Sequence, residues 1–178
     1  LFAGDALQIG NIFYDAFGID FDCKMLQMLQ IDAMAIGNHE FDGKIEGFKN
    51  LVNCIKSSNK QFPILASNLD LDDELLKKIV MPYTIKNING KDIGIIGLSV
   101  DDTSSIGSID GITFIDSVKI VNKLVSQLKS KGIDIIILLT HIGFDKDVEL
   151  AKAVKDIDLI VGGHSHTLQG DFSSLGIN

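Results

Sequence analysis

The chain holds four histidines among its 178 residues, and each follows an apolar run. His39 lies in AIGNHEFDG after residues 31–36, and His141 follows residues 133–140. His164 and His166 lie in GGHSHT, just beyond Leu159–Val161. Asp5 stands likewise after residues 1–3, while Asn38 and Asp42 flank the first histidine. Imidazole, carboxylate and carboxamide oxygen are hard-to-borderline ligands, suited to Zn, Mn, Fe or Co rather than to a thiolate cluster. In extended chain, the two-residue step from His164 to His166 points both rings to one side, so each can serve a different ion. Two ions roughly 3.5–4 Å apart, bridged by a carboxylate, activate water and neutralise phosphoryl-transfer charge.

These groups need elements to position them. All sit just past the carboxyl end of an apolar strand, the rim where α/β sheets open a crevice for ligands. Strands are expected at residues 32–36, 63–66 and 133–140 and at Leu159–Val161. Helices are expected at residues 22–30, 72–79, 117–131 and 147–156. A further helix is read over Lys44–Ser57, where Ile45, Phe48, Leu51, Val52 and Ile55 recur at helical spacing. Asp72 or Asp73 is a candidate cap for the helix that follows it, and Asp42, before Gly43, is a candidate cap for Lys44–Ser57. Asn89-Gly90 separates two strand-like runs, the strongest short hairpin signal available. Residues 101–111 form a Ser/Gly/Asp loop, and Asn68 reads as a turn asparagine. The pattern has no repeat and no linker, so one layered α/β domain over residues 1–178 is expected.

Composition narrows the partners. A hydrophobic share of 46% fits a globular core and not a disordered chain. The longest apolar run, residues 133–139, is far shorter than the roughly 20 residues of a membrane span. A net charge of −8 argues against a nucleic-acid surface, since phosphate backbones call for basic patches. All sixteen basic residues are lysines, so no guanidinium clamp for phosphate exists in this chain. Metal ions, or residues outside this chain, would fill that role. Cys23 and Cys54 read as small buried residues on helices and leave the redox compartment open.

The segments GDALQIG, GNHEFD, LLTHIG and GGHSHT, in that order, resemble the metal-site motifs of the calcineurin-like metallophosphoesterases. ILASNLD and PYTIKNINGKDIGIIGLSV resemble the 5′-nucleotidase branch in particular. The resemblance implies a layered αββα sandwich and hydrolysis of phosphate esters, most simply nucleoside 5′-monophosphates, at a site with two divalent ions. By position, Asp5 matches the carboxylate that bridges the ions. Asn38, His141 and His164 match ligands of the second ion, and His166 matches a ligand of the first. His39 matches the residue that faces the substrate phosphate without binding metal, and Asp42 matches the partner that orients its ring. Glu40 is assigned no role.

The same resemblance implies that the chain is truncated at both ends. The family opens with an Asp-x-His motif that would precede Leu1, and the nucleotidases hold the nucleotide with a separate C-terminal domain. It also implies a periplasmic, secreted or surface location. Alternatives are a non-catalytic metal-binding module, another phosphodiesterase acting on cyclic nucleotides or nucleotide sugars, and a barrel amidohydrolase. The barrel fits poorly, because its His-x-His pair opens the chain whereas His164 and His166 come near its end.

Overall fold

The computed structural model describes residues 1–58, 60–100, 109–168 and 170. Among these residues the strands are β1 (Met34–Ala35), β2 (Ile64–Leu65), β3 (Leu69–Leu71), β4 (Val80–Met81), β5 (Tyr83–Ile88), β6 (Lys91–Leu98), β7 (Ile112–Phe114), β8 (Ile135–Thr140) and β9 (Leu159–Val161). The α-helices are α1 (Ile12–Phe17), α2 (Ile19–Met28), α3 (Lys44–Ser57), α4 (Glu74–Ile79), α5 (Ser117–Ser130) and α6 (Phe144–Ala153). A short 3-10 turn, His39–Phe41, precedes α3.

Alternation of side chains builds the layers. Strands β1, β2 and β4 pair in parallel, and Phe2 adds a parallel bridge to Met34. In this sheet Met34, Ile36 and Ile64 point to one face and pack under α3 through Phe48, Leu51, Val52 and Ile55. Each such side chain contributes roughly 1.5–3 kcal/mol by leaving water. The alternate residues Ala33, Ala35 and Leu65 point the other way and meet Ile95 and Leu139 of the second sheet. That sheet runs β5-β6-β8-β9, with β5–β6 antiparallel and the remaining pairs parallel. Its outer residues Ile96, Leu98, Ile136 and Leu138 pack with Val121, Leu124 and Leu128 of α5 and Leu150 of α6.

The result is helix, sheet, sheet, helix, the αββα sandwich expected from the sequence. The two sheets approach closely at Gly97, where a Cβ would meet the Leu65 side chain and, at 2.6 Å, its carbonyl carbon. Small residues here let the two rows of strand ends share one rim.

Local chemistry explains most boundaries. Asp73 caps α4 by accepting from the amides of Leu75 and Leu76, and Asn89 and Gly90, both at positive φ, turn β5 into β6. Helix α3 spans the expected residues, and α2 and α6 each begin three residues before the expected start. Helix α1 was not anticipated: Asn11 caps it through the amides of Phe13 and Tyr14, but it buries no residue and so carries no periodic stripe. The β3–β7 ladder was also missed, because its three-residue strands are too short for alternation to register. Residues 101–108 of the expected loop lie outside the described residues. Among the described residues no helix is long and apolar enough to cross a membrane.

The reading of the cysteines as merely small buried residues is corrected. Cys23 of α2 and Cys54 of α3 form a disulfide, with Cα atoms 6.3 Å apart, within the range such a bridge requires. Two helices packed face to face bring together sulfurs that are 31 residues apart. Closing a loop of that size stabilises a fold by about 2–4 kcal/mol. Cys54→Ser is therefore expected to lower the urea midpoint, as is a reductant. Identical midpoints with and without dithiothreitol would contradict the bridge.

Candidate active site

The groups singled out from the sequence emerge from neighbouring strand ends. Residues 1–3 run beside β1, and Asp5 follows them at φ 60°. Strand β1 leads through Gly37 to Asn38, β8 leads to His141, and β9 leads through Gly162-Gly163 to His164 at φ 82°. Asp5, His164 and also His166, at φ 52°, are non-glycine residues held in left-handed backbone, a local cost that the surrounding contacts must offset.

Four of the side chains meet directly. The Asn38 Oδ1 atom lies 2.9 Å from His164 Nδ1 and 3.2 Å from His141 Nε2. His141 Nε2 is also 2.9 Å from Asp5 Oδ2, and the His141 and His164 ring centres are 5.2 Å apart. His141 is almost fully buried, and its Nδ1 bonds to the Ala3 carbonyl, so Nε2 is the nitrogen presented to the cluster. Burial alone would raise the Asp5 carboxyl, but hydrogen bonds from the His141 ring and the His39 amide bring it below the usual carboxylate range. Burial alone would lower His141; its bonds to Asp5 and Ala3 raise it above an ordinary imidazole.

His39 and Asp42 form a second unit beside the first. His39 Nδ1 lies 2.9 Å from Asp42 Oδ2, leaving Nε2 as the outward nitrogen. The His39 backbone amide donates to Asp5 Oδ1 at 3.0 Å, tying the two units together. Asp42 does not cap α3, whose N-cap is Gly43; its carboxylate takes the Ile9 amide at 3.2 Å besides the His39 ring. That expectation is corrected, since the 3-10 turn places Asp42 at its own C-terminal end and turns the side chain back toward His39.

His166 is not brought to the cluster. Among the described residues it forms no hydrogen bond or ion pair, and it lines a cleft of about 540 Å³ with His164, Phe144, Val148, Ile160 and Thr167. No three His, Cys, Asp or Glu side chains among the described residues surround a common point as one ion would require. Asn38, an oxygen donor outside that set, joins His141 to His164, and His141 in turn joins Asn38 to Asp5. A carboxylate, a carboxamide oxygen and two imidazoles linked in a chain of contacts are a donor set that fits a borderline divalent cation.

Three polar residues in or near the rim drew no role from sequence reasoning. Glu40 is fully buried and accepts backbone amides from Gly37, Asp5, Ala6 and Leu7. Burial pushes its carboxyl up, opposed by amide donors led by Gly37. Asp147 is buried behind the rim and takes the Thr140 hydroxyl at 2.6 Å. Asn68 sits at a turn, as expected, and its buried carboxamide donates to the Ser99 carbonyl at 2.8 Å and accepts from the Ser99 amide at 2.9 Å. None has a spacing signal, because their partners are mostly backbone groups, which no residue type marks.

Comparison with known proteins identifies the family. The family model for calcineurin-like phosphoesterases matches residues 1–168. The NAD 5′-nucleotidase of Haemophilus influenzae is 35% identical over 174 residues, covering 96% of this chain and 28% of that protein. Snake venom 5′-nucleotidase from Gloydius brevicauda is 36% identical over 169 residues, covering 93% of this chain and 28% of its own length. A solved 5′-nucleotidase precursor from Thermus thermophilus superposes with a TM-score of 0.84 at 34% identity, covering 96% of this chain and 33% of that one. The chain thus spans about a third or less of the length of these relatives. Fold and sequence agree, and the chain belongs to the calcineurin-like phosphoesterase family.

Proposed function

We propose that this chain carries the metal-dependent site of a nucleotide-hydrolysing phosphoesterase, with nucleoside 5′-monophosphates as the first substrates to test. The observation that carries this reading is the convergence of Asp5, Asn38, His141 and His164 beside the His39–Asp42 pair. Relatives named 5′-nucleotidase, at 35% and 36% identity, support the choice of substrate.

In this reading Asp5, Asn38, His141 and His164 hold one divalent ion, Zn, Mn, Fe or Co. Asp5 also reaches a second ion with His166, an assignment that rests on the GGHSHT motif alone. Such ions, when bound, polarise phosphoryl oxygens and activate water. Residues of the chain do the rest. The Ala3 carbonyl fixes the His141 ring so that Nε2 faces Asp5. Asp42 holds His39 Nδ1 and orients the ring, so that Nε2 faces outward, where it would meet the phosphate and its leaving oxygen. Because no arginine is present, neutralising phosphate charge within this chain falls to the ions and His39.

The Cys23–Cys54 bridge and the venom relative both support an oxidising compartment outside the cytoplasm. The activity is tested by phosphate release from nucleoside 5′-monophosphates. A chelator is expected to abolish release, and added Mn²⁺ or Zn²⁺ to restore it. Release that persists after exhaustive chelation would contradict the proposal.

A further inference from the structure

Glu40 stands between two segments that each supply a proposed ligand. Its Oε2 accepts the Gly37 amide at 2.5 Å and the Asp5 amide at 3.0 Å. The Oε1 atom accepts the Ala6 amide at 2.5 Å and the Leu7 amide at 3.2 Å. The side chain has 0% exposure, so no water competes for these bonds. All four contacts are N–H donors, a set that matches an ionised carboxylate with two accepting oxygens.

The two segments are 33–35 residues from Glu40 in sequence on one side and three on the other. Three successive amides, of Asp5, Ala6 and Leu7, turn inward on one carboxylate, a concave backbone arrangement that favours an acceptor-only group. Asp5 keeps φ at 60°, which persists only where its surroundings over-determine the backbone. On the opposite side of the turn the Asp5 carboxylate meets His141 and the His39 amide. Asp5 is therefore gripped by its backbone from Glu40 while its side chain points into the cluster.

We propose that Glu40 is a positioning residue for metal binding: an internal anion on which the Gly4–Leu7 turn and the Gly37–Asn38 corner fold, setting Asp5 and Asn38 in register with His141. This rests on the metal reading of the cluster, and Glu40 itself touches neither ion nor substrate. A buried amide left without a partner costs about 1–3 kcal/mol, so the turn would reopen rather than stay unpaired. Glutamine keeps the shape but offers one accepting oxygen in place of two, and its NH₂ would face two amide donors. Aspartate keeps the charge but is shorter by a methylene and cannot span both segments.

The test uses Mn²⁺ alone as probe, with calorimetric titration of wild type, Glu40→Gln and Glu40→Asp, and melting curves for each. Both variants are expected to bind Mn²⁺ about 10–100-fold more weakly. Val125→Ala, a buried change in α5 far from the rim, supplies a destabilised control that should bind Mn²⁺ as the wild type does. Variants of Glu40 that melt lower yet bind Mn²⁺ as tightly as wild type would overturn the inference. Hydrogen exchange on metal-free wild type is a second measurement that needs no variant. Protected amides at Asp5, Ala6, Leu7 and Gly37 are expected, and free exchange there would overturn the clamp. A wild type that binds no Mn²⁺ would overturn the metal reading itself, which is a separate result.

Discussion

His39→Ala is expected to lower kcat for nucleoside 5′-monophosphate hydrolysis by about 10²–10⁴-fold, the usual contribution of a positioned proton donor. KM should change little, because the ring acts on charge that develops at the leaving oxygen and not on the resting substrate. Metal content should also stay the same. His39 touches the proposed metal cluster through its backbone amide, which donates to Asp5 Oδ1, and alanine keeps that amide. Steady-state kinetics and elemental analysis on one preparation check both halves. Unchanged kcat would remove His39 from the chemistry. A lost metal would instead show that its ring supports the ligands.

The second large effect is expected at Gly37. A Cβ there would collide with the Asp5 carboxylate, its backbone nitrogen at 2.5 Å and its Cγ at 2.9 Å. Neither side can yield easily. The Asp5 amide is held by Glu40, and the carboxylate is held by His141 and the His39 amide. Gly37→Ala should destabilise the fold by about 1–3 kcal/mol, as overpacking does, and abolish activity where the protein remains folded. Thermal melting and phosphate release read these outcomes. A variant with wild-type stability and activity would contradict the close approach of the Gly37 corner to Asp5.

What could be read in advance follows from how far each signal reaches along the chain. Ile45, Phe48, Leu51, Val52 and Ile55 announce α3 because one face of one helix carries the whole pattern. Asn89-Gly90 announces its hairpin because a turn with two positive φ values selects those residues. The rim residues were legible through their place after apolar strands; parallel pairing within each sheet and the stacking of the two sheets then bring those ends together. Glu40 was not legible. Its four partners are backbone amides, which no residue type marks. The Cys23–Cys54 pairing was missed for a related reason: it depends on which faces α2 and α3 turn to each other, a property of tertiary packing. His166 is the reverse case. Its motif is clear, yet among the described residues nothing draws it to Asp5.

The central claim is that Asp5, Asn38, His141 and His164 form one metal site. Its most direct test is the metal content of wild type and His141→Ala after identical loading with Mn²⁺ and gel filtration. His141 supplies Nε2 to the cluster from a buried ring anchored on Ala3, so no neighbour can replace it. Stoichiometric metal in wild type and a large loss in a folded His141→Ala is the predicted result. Equal metal in the two proteins would contradict the account.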